Sequence, residues 1–323
     1  QQAPLWMRYP AISPDGKTIV FSYKGDIYSV PATGGEARQL TTNAAHDSYP
    51  IWSPDGKKIA FASNREGSFD VYVMSAHGGA PTRITTNSER EIPVAFKDND
   101  HVLFSANIMP TAESNLFASR EFSQVYEVST QGGRPKLYSV IPMEDISINA
   151  KGQVLYHDSK GYEDQWRKHH TSPITRDIWM LDNGKYQKTT AFKGEDRTPV
   201  WAADGESFYY LSEQAGSFNI YHRNIATGKD VQLTHEKKNP IRFLTSSADG
   251  LLCYGYDGEI YTVKEGAQPQ KVNISITADN DEPSLVRQVR SWGATEIALS
   301  PDAKEVAFVM HGDVYVTSTE YKT

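Results

Sequence analysis

The sequence predicts an all-β fold, a six-bladed β-propeller of four-stranded blades followed by an incomplete further blade. Two observations carry this. A phrase recurs about every forty residues: an aromatic or Pro-led apolar stretch, an SPDGK-type turn, a short apolar strand, an aromatic-rich strand and a GG turn. Each copy also has room for four short strands, and a period near forty with four strands per repeat is the mark of a propeller, whose blades cover one another's faces by radial stacking.

The first copy runs from Tyr9-Pro10-Ala11-Ile12 through Ser13-Pro14-Asp15-Gly16-Lys17, a strand at 18–22, a second at 26–30, Gly34-Gly35, and Gln39-Leu40-Thr41-Thr42. The second, from Tyr49-Pro50-Ile51-Trp52 to Arg83-Ile84-Thr85-Thr86, repeats it nearly word for word. In the turn, Pro pre-sets φ and Gly accepts a positive φ, while Asp15, Asp55, Asp204 and Asp302 occupy the equivalent place. Runs such as Ile19-Val20-Phe21 and Ile59-Ala60-Phe61 suit strands buried between neighbouring sheets.

Looser copies follow. The third starts at Ile92-Pro93-Val94-Ala95-Phe96 and ends at Gly132-Gly133. The fourth runs from Asp145-Ile146-Ser147 through Ile178-Trp179-Met180 to about Lys188. The fifth passes from Thr198-Pro199-Val200-Trp201 through Asn219-Ile220-Tyr221 to Gln232-Leu233-Thr234. The sixth uses Ala248-Asp249-Gly250, Leu252–Tyr256, Glu259-Ile260-Tyr261 and an outer strand at Lys271–Ile276. A seventh begins at Glu296-Ile297-Ala298-Leu299-Ser300-Pro301-Asp302, continues through Asp313-Val314-Tyr315, and lacks a GG turn and an outer strand before Thr323.

The domain reading is therefore residues 1–277 as the six-bladed propeller and 278–323 as a linker and the truncated first blade of a second propeller. The acidic, poorly patterned Thr277–Glu282 reads as linker. An alternative stays open. In a single seven-bladed ring the last unit is the seventh blade, and Leu5-Trp6-Met7 supplies its outer strand, tying the chain ends together.

A chain of 323 residues with 38% hydrophobic and 11% aromatic content supports a large β-rich core. The formal net charge of −7 argues against nucleic acid as a partner, since phosphate binding calls for clustered Lys and Arg. No apolar run approaches eighteen residues, so no membrane span is expected. The start Gln1-Gln2-Ala3-Pro4 fits a mature chain after signal cleavage, hence a periplasmic or secreted location, and fits equally a boundary within a longer chain. Cys253, the one cysteine, excludes an internal disulfide and reads as a buried inert thiol.

Propellers bind through loops and channel-facing residues, so interruptions of the repeat are where function is sought. Residues 107–122 lengthen the connection between the second and third strands of the third unit, and 159–176 do so in the fourth. The latter gathers Tyr162, Glu163, Asp164, Trp166, Arg167, Lys168, His169, His170 and Arg176, the candidate ligand- or domain-docking loop. Three readings compete. A metal site on His169 and His170 is disfavoured, because adjacent residues of an extended segment point oppositely and no third ligand stands at convincing spacing. The Arg and carboxylate groups suit a peptide terminus or another charged ligand. The plainest reading is an internally paired loop that packs Tyr162 and Trp166 on a blade edge or a neighbouring domain.

No GxSxG, HExxH, CxxC or GxxxxGK[ST] motif is present, and the GG pairs recur in phase with the blades as hairpin glycines. No catalytic residue, metal or cofactor is assigned.

The SPDGK-type units resemble the propeller repeats shared by TolB-like proteins and the tricorn protease family. The stretch from Lys160 to Trp179 (KGYEDQWRKHHTSPITRDIW) is more specific, and looks like a segment of the first propeller of bacterial tricorn-like serine peptidases. This resemblance implies a six-bladed propeller followed by a seven-bladed one, a PDZ domain and a C-terminal serine peptidase core. Its catalytic Ser, His and Glu would lie outside this chain. The role implied here is noncatalytic: guiding or filtering peptide substrates or docking other domains of the same polypeptide. A TolB-like module for a protein partner is the alternative, and a propeller enzyme acting on carbohydrate or small molecules a third.

Overall fold

The structure is a computed structural model that describes residues 4–108, 123–161, 171–277, 291–310 and 313–320. By internal contacts the chain divides into two compact units, Gln1–Thr277 and Ala278–Thr323. Among the described residues every element is a β-strand.

The first unit holds six sheets. The first contains β1 (Arg8–Ile12), β2 (Thr18–Tyr23), β3 (Asp26–Pro31) and β4 (Gly35–Gln39); the second β5 (Asp47–Trp52), β6 (Lys58–Glu66), β7 (Ser68–Ser75) and β8 (Thr82–Arg83). The third contains β9 (Ile92–Asp98), β10 (His101–Ala106), β11 (Gln124–Ser129) and β12 (Lys136–Ser139); the fourth β13 (Met143–Ile148), β14 (Val154–Asp158), β15 (Ile178–Asp182) and β16 (Lys185–Lys188). The fifth contains β17 (Asp196–Trp201), β18 (Ser207–Ser212), β19 (Asn219–Asn224) and β20 (Asp230–Gln232); the sixth β21 (Arg242–Ser246), β22 (Leu252–Tyr256), β23 (Glu259–Val263) and β24 (Gln270–Lys271). Within each, successive strands pair antiparallel. The sheets' first strands touch in a cycle: β1 meets β5, β5 meets β9, β9 meets β13, β13 meets β17, β17 meets β21, and β21 meets β1.

The repeated phrase has a repeated physical meaning. In the first turn Ser13 Oγ donates to Asp15 Oδ1 (2.6 Å) while the Lys17 and Thr18 N–H groups donate to Asp15 and Ser13, so the turn carries its own hydrogen bonds. Ser53/Asp55 and Ser247/Asp249 do the same. The apolar runs then enter sheet interiors: Ile19, Val20, Phe21, Ile59, Ala60 and Phe61 are fully buried. Across the second and third strands of every sheet stands a directly opposed aromatic pair, Phe21/Tyr28, Phe61/Tyr72, Phe104/Tyr126, Tyr156/Trp179, Tyr210/Tyr221 and Tyr254/Tyr261, the cross-strand contact that most stabilises a sheet.

A second repeated device ties the outer strand to the third. Thr41, Thr85, Thr190 and Thr234 each accept, through Oγ1, an N–H from the first half of a third strand, from Ile27, Val71, Ile178 and Ile220 respectively, at 2.8–3.0 Å.

The outer strand expected at 271–276 divides. Gln270–Lys271 closes the sixth sheet as β24, whereas β25 (Ile274–Ile276) crosses to the first sheet and pairs parallel with β4. Burial is the reason: Val272 and Ile274 enter the apolar cluster of Met7, Phe21, Val30 and Ala37. Gly34 makes the approach possible, because at φ +89° it tolerates the backbone, and a Cβ there would lie 2.6 Å from Asn273 O. Residues 4–7 form no strand; the Met7 N–H donates to Gly258 O (3.1 Å).

The second unit is a three-stranded antiparallel sheet, β26 (Ala294–Leu299), β27 (Glu305–Met310) and β28 (Asp313–Ser318), with the same Ser300/Asp302 turn and a stacked Phe308/Tyr315 pair at 5.5 Å.

Candidate functional site

The six first strands enclose a cavity of about 1250 Å³. Its wall is chemically divided. One arc, on β21, β1 and β5, carries Phe243, Tyr9 and Tyr49 with Arg242 and Arg90 beside them; the arc on β13 and β17 carries Glu144, Asp145, Arg197 and Thr198, with His157 and Arg176 behind them.

The backbone explains how these side chains reach the cavity. In all six first strands two residues face one on the neighbouring second strand, so each holds a β-bulge at the same place. At five of these bulges, all but that of β9, one non-glycine residue has a positive φ: Tyr9 (52°), Tyr49 (56°), Asp145 (49°), Thr198 (49°) and Phe243 (60°). Such bulges re-aim side chains, and a left-handed non-glycine residue costs of order 1–2 kcal/mol. Gly255 admits the Phe243 ring, since a Cβ there would meet its Cδ2 at 3.0 Å.

These residues bond laterally between sheets. Tyr9 and Phe243 rings lie 4.8 Å apart, Tyr9 and Tyr49 rings 4.0 Å apart, and Tyr9 Oη donates to Tyr49 Oη at 3.0 Å. Arg90 donates to the same Tyr49 oxygen (3.0 Å) and lies over the Tyr49 and Phe69 rings. Burial, then the neighbouring Tyr49, pushes the Tyr9 hydroxyl pKa up, so the phenol stays protonated and remains a donor.

On the polar arc Thr198 Oγ1 donates to Asp145 Oδ2 at 2.6 Å. The Thr198 N–H donates to His157 Nδ1 (3.3 Å), which leaves the Nε2 hydrogen to bond Glu144 Oε2 (3.0 Å). Burial alone would raise the Glu144 carboxyl, but the His157 hydrogen bond and the Arg176 charge outweigh it and hold it down to about 2. Glu144 is therefore ionised wherever the protein is folded near neutral pH.

Arg176 is the one member of the expected docking loop among the described residues. Its side chain is 7% exposed, Nη1 pairs with Glu195 Oε1 at 2.9 Å, and Nε lies 3.4 Å from Glu144 Oε2. Arg197 pairs with the same Glu195. Tyr162, Glu163, Asp164, Trp166, Arg167, Lys168, His169 and His170 lie outside the described residues, as does most of the 107–122 insertion. Among the described residues no group of three or more His, Cys, Asp or Glu side chains is arranged to hold a metal ion, and no helix is long and apolar enough to cross a membrane.

Sequence reasoning passed over Tyr9, Tyr49, Asp145, Thr198, Phe243 and His157 as site residues. For Tyr9, Tyr49 and Thr198 a signal was present as the Tyr-Pro or Thr-Pro pair opening units one, two and five; Asp145, Phe243 and His157 carry none. It reads as strand punctuation until φ is known.

Sheets in cyclic contact around a central cavity define an all-β propeller domain. The family described as Tricorn protease N-terminal beta propeller domain matches residues 4–269, and the chain belongs to it. Among curated relatives, Tricorn protease homolog 1 of Streptomyces coelicolor is 25% identical over 280 residues, 85% of this chain and 25% of that protein. Among solved structures, the tricorn protease matches with a TM-score of 0.71 at 19% identity, over 98% of this chain and 30% of its own. TolB from Acinetobacter baumannii matches with a TM-score of 0.57 at 17% identity, over 80% and 60% of the two chains. At these identities both structural likenesses show the fold alone. The chain spans a quarter to a third of the length of the tricorn relatives it matches.

Proposed function

We propose that this chain is a noncatalytic propeller of a longer tricorn-like serine peptidase and that its central cavity holds or guides extended peptides on their way to or from a distant catalytic centre. The observation that carries the reading is the cavity itself, about 1250 Å³ and bordered by the first strand of every sheet of a domain in the tricorn family. Its wall offers what an extended peptide uses: aromatic faces for side chains and fixed charges for termini and polar groups.

In the same reading the six sheets are six blades of one ring, and β25 on the outer edge of β4 fastens its ends. The pairing of β25 with β4 and the absence of a strand at residues 4–7 favour this over a seven-bladed ring. Residues 278–323 then form a linker and the opening of a second propeller, and the Lys160–Trp179 segment docks peptide or a neighbouring domain. A periplasmic or secreted location goes with it and is checked by fractionating cells that express the tagged full-length protein.

The test is direct. The chain should bind labelled extended peptides reversibly, and recovered peptides should be intact. Hydrolysis abolished by substituting a residue of this chain would overturn the noncatalytic role. Failure to bind any peptide, with stable capture of a folded partner protein instead, would favour the interaction-module alternative.

A further inference from the structure

We propose that the five left-handed residues Tyr9, Tyr49, Asp145, Thr198 and Phe243 form a collar that sets the cavity's specificity. It selects an extended peptide bearing a cationic group, seated on Asp145, and a flat apolar side chain, seated on the Tyr9–Tyr49–Phe243 shelf. This rests on the peptide-holding reading above and names what the cavity prefers.

The same bulge recurs in all six first strands, and in five of them it puts a positive φ on Tyr, Tyr, Asp, Thr and Phe rather than on glycine. A β-branched residue such as Thr198 is a true outlier there, and strained backbone of this kind gathers at ligand-contacting sites. In the sixth first strand, β9, the corresponding bulge begins at Pro93, whose ring holds φ negative, so that strand adds no left-handed residue to the collar.

The collar is preorganised. Collar members hold one another across sheet boundaries: Phe243 against Tyr9, Tyr9 bonded to Tyr49, and Thr198 bonded to Asp145. The Thr198 hydroxyl occupies Asp145 Oδ2, and His157 Nδ1 lies 3.6 Å from that same oxygen. Oδ1 has no hydrogen-bond partner among the described residues, on a half-exposed side chain that lines the cavity. Arg176 and Arg197 act on Asp145 electrostatically, and its unbonded oxygen remains an acceptor for an ammonium or guanidinium group.

Strand β13, which carries Asp145, stands three positions from β1 around the cycle, opposite Tyr9. A ligand engaging both therefore lies across the cavity, which an extended backbone advancing ~3.3–3.6 Å per residue does with a few residues. A cation on one side and a flat side chain on the other satisfies both arcs at once.

The experiment measures fluorescence anisotropy of labelled Gly/Ser-rich peptides against the 323-residue chain. One peptide carries a Lys and a Phe, a second replaces Lys with Glu, and a third replaces Phe with Ala. The Lys/Phe peptide should bind roughly tenfold or more tighter than the Glu/Phe peptide, as expected for a charge-assisted hydrogen bond. Asp145→Asn, which keeps an acceptor for Thr198, should erase that charge preference and leave the preference for Phe over Ala. Tyr49→Leu should reduce the Phe preference several-fold and leave the charge preference. Binding without either preference, or a charge preference that survives in Asp145→Asn, overturns the collar while the peptide-holding role stands. If the unsubstituted chain binds none of the three peptides, the peptide-holding role falls and the collar with it.

Discussion

Replacing Thr234 with Val tests whether the repeated threonine lock stabilises the sheets as described. Thr234 is buried, accepts the Ile220 N–H through Oγ1 at 2.8 Å, and donates to Asn219 Oδ1 at 3.0 Å. Val has nearly the same shape, so packing is retained while the buried Ile220 N–H loses its acceptor. An orphaned buried donor costs about 1–3 kcal/mol, against about 0.8 kcal/mol for the methyl lost in Thr234→Ser, which keeps the hydroxyl. Unfolding of the Gln1–Thr277 unit carries an entropy near 0.6 kcal/mol per kelvin at ~2.1 cal/mol/K per residue, so Thr234→Val should lower Tm by about 2–5 °C. Differential scanning calorimetry and urea titration measure it, and Thr41→Val and Thr190→Val should fall in the same range. The reasoning is refuted if Thr234→Val is no more destabilising than Thr234→Ser.

Three further outcomes follow from separate features. Burial, with the nearby Asp70 charge adding to it, raises the Glu91 carboxyl to about 7 although Thr85 and the Asn87 N–H oppose the shift, and burial likewise raises Asp196 to about 7. Protons are then held more tightly folded than unfolded, so this stability is fully present below about pH 4, and is lost as pH rises through 7; urea midpoints should fall over that window, and less steeply in Glu91→Gln. Gly34→Ala brings a Cβ to 2.6 Å from Asn273 O at a φ of +89°, so hydrogen exchange of the Gly35 amide, which donates to Asn273 O, should accelerate while protection in the β17–β19 sheet is unchanged. Cys253 is fully buried and burial pushes its thiol pKa up, so thiol reagents should label it only at the rate of unfolding; rapid labelling of folded protein would show that the β22 core is open.

The fold was legible where it is local. The Ser-x-Asp turn closes its own hydrogen bonds within a few residues, and the aromatic pair opposite it needs only the hairpin register that the turn sets, so each sheet is written in one stretch of sequence. What depends on distant chain was not legible. The crossing of Ile274–Ile276 from the sixth sheet to the first depends on an apolar slot lined by Met7, Phe21 and Ala37, and on Gly34 about 240 positions earlier. Nothing in the local pattern of 271–276 distinguishes that strand from the sixth sheet's own edge.

The candidate site divides in the same way. Arg176, marked by its place in a repeat interruption, does reach the cavity wall, held by Glu195 and Glu144. The residues that shape the cavity's chemistry lie instead within the most regular part of the repeat, at the starts of first strands. Their significance is a backbone angle and a lateral partner one sheet away, as with Thr198 and Asp145, 53 positions apart. A reading that sought function only where the repeat breaks was bound to overlook them.

The most direct test of the central claim is an experimental structure of the chain at saturating concentration of an extended Lys/Phe peptide. The account predicts peptide density inside the cavity, with the cationic group at Asp145 and the ring against Tyr9, Tyr49 and Phe243. Density confined to an outer strand edge, with the cavity holding solvent alone, would contradict it.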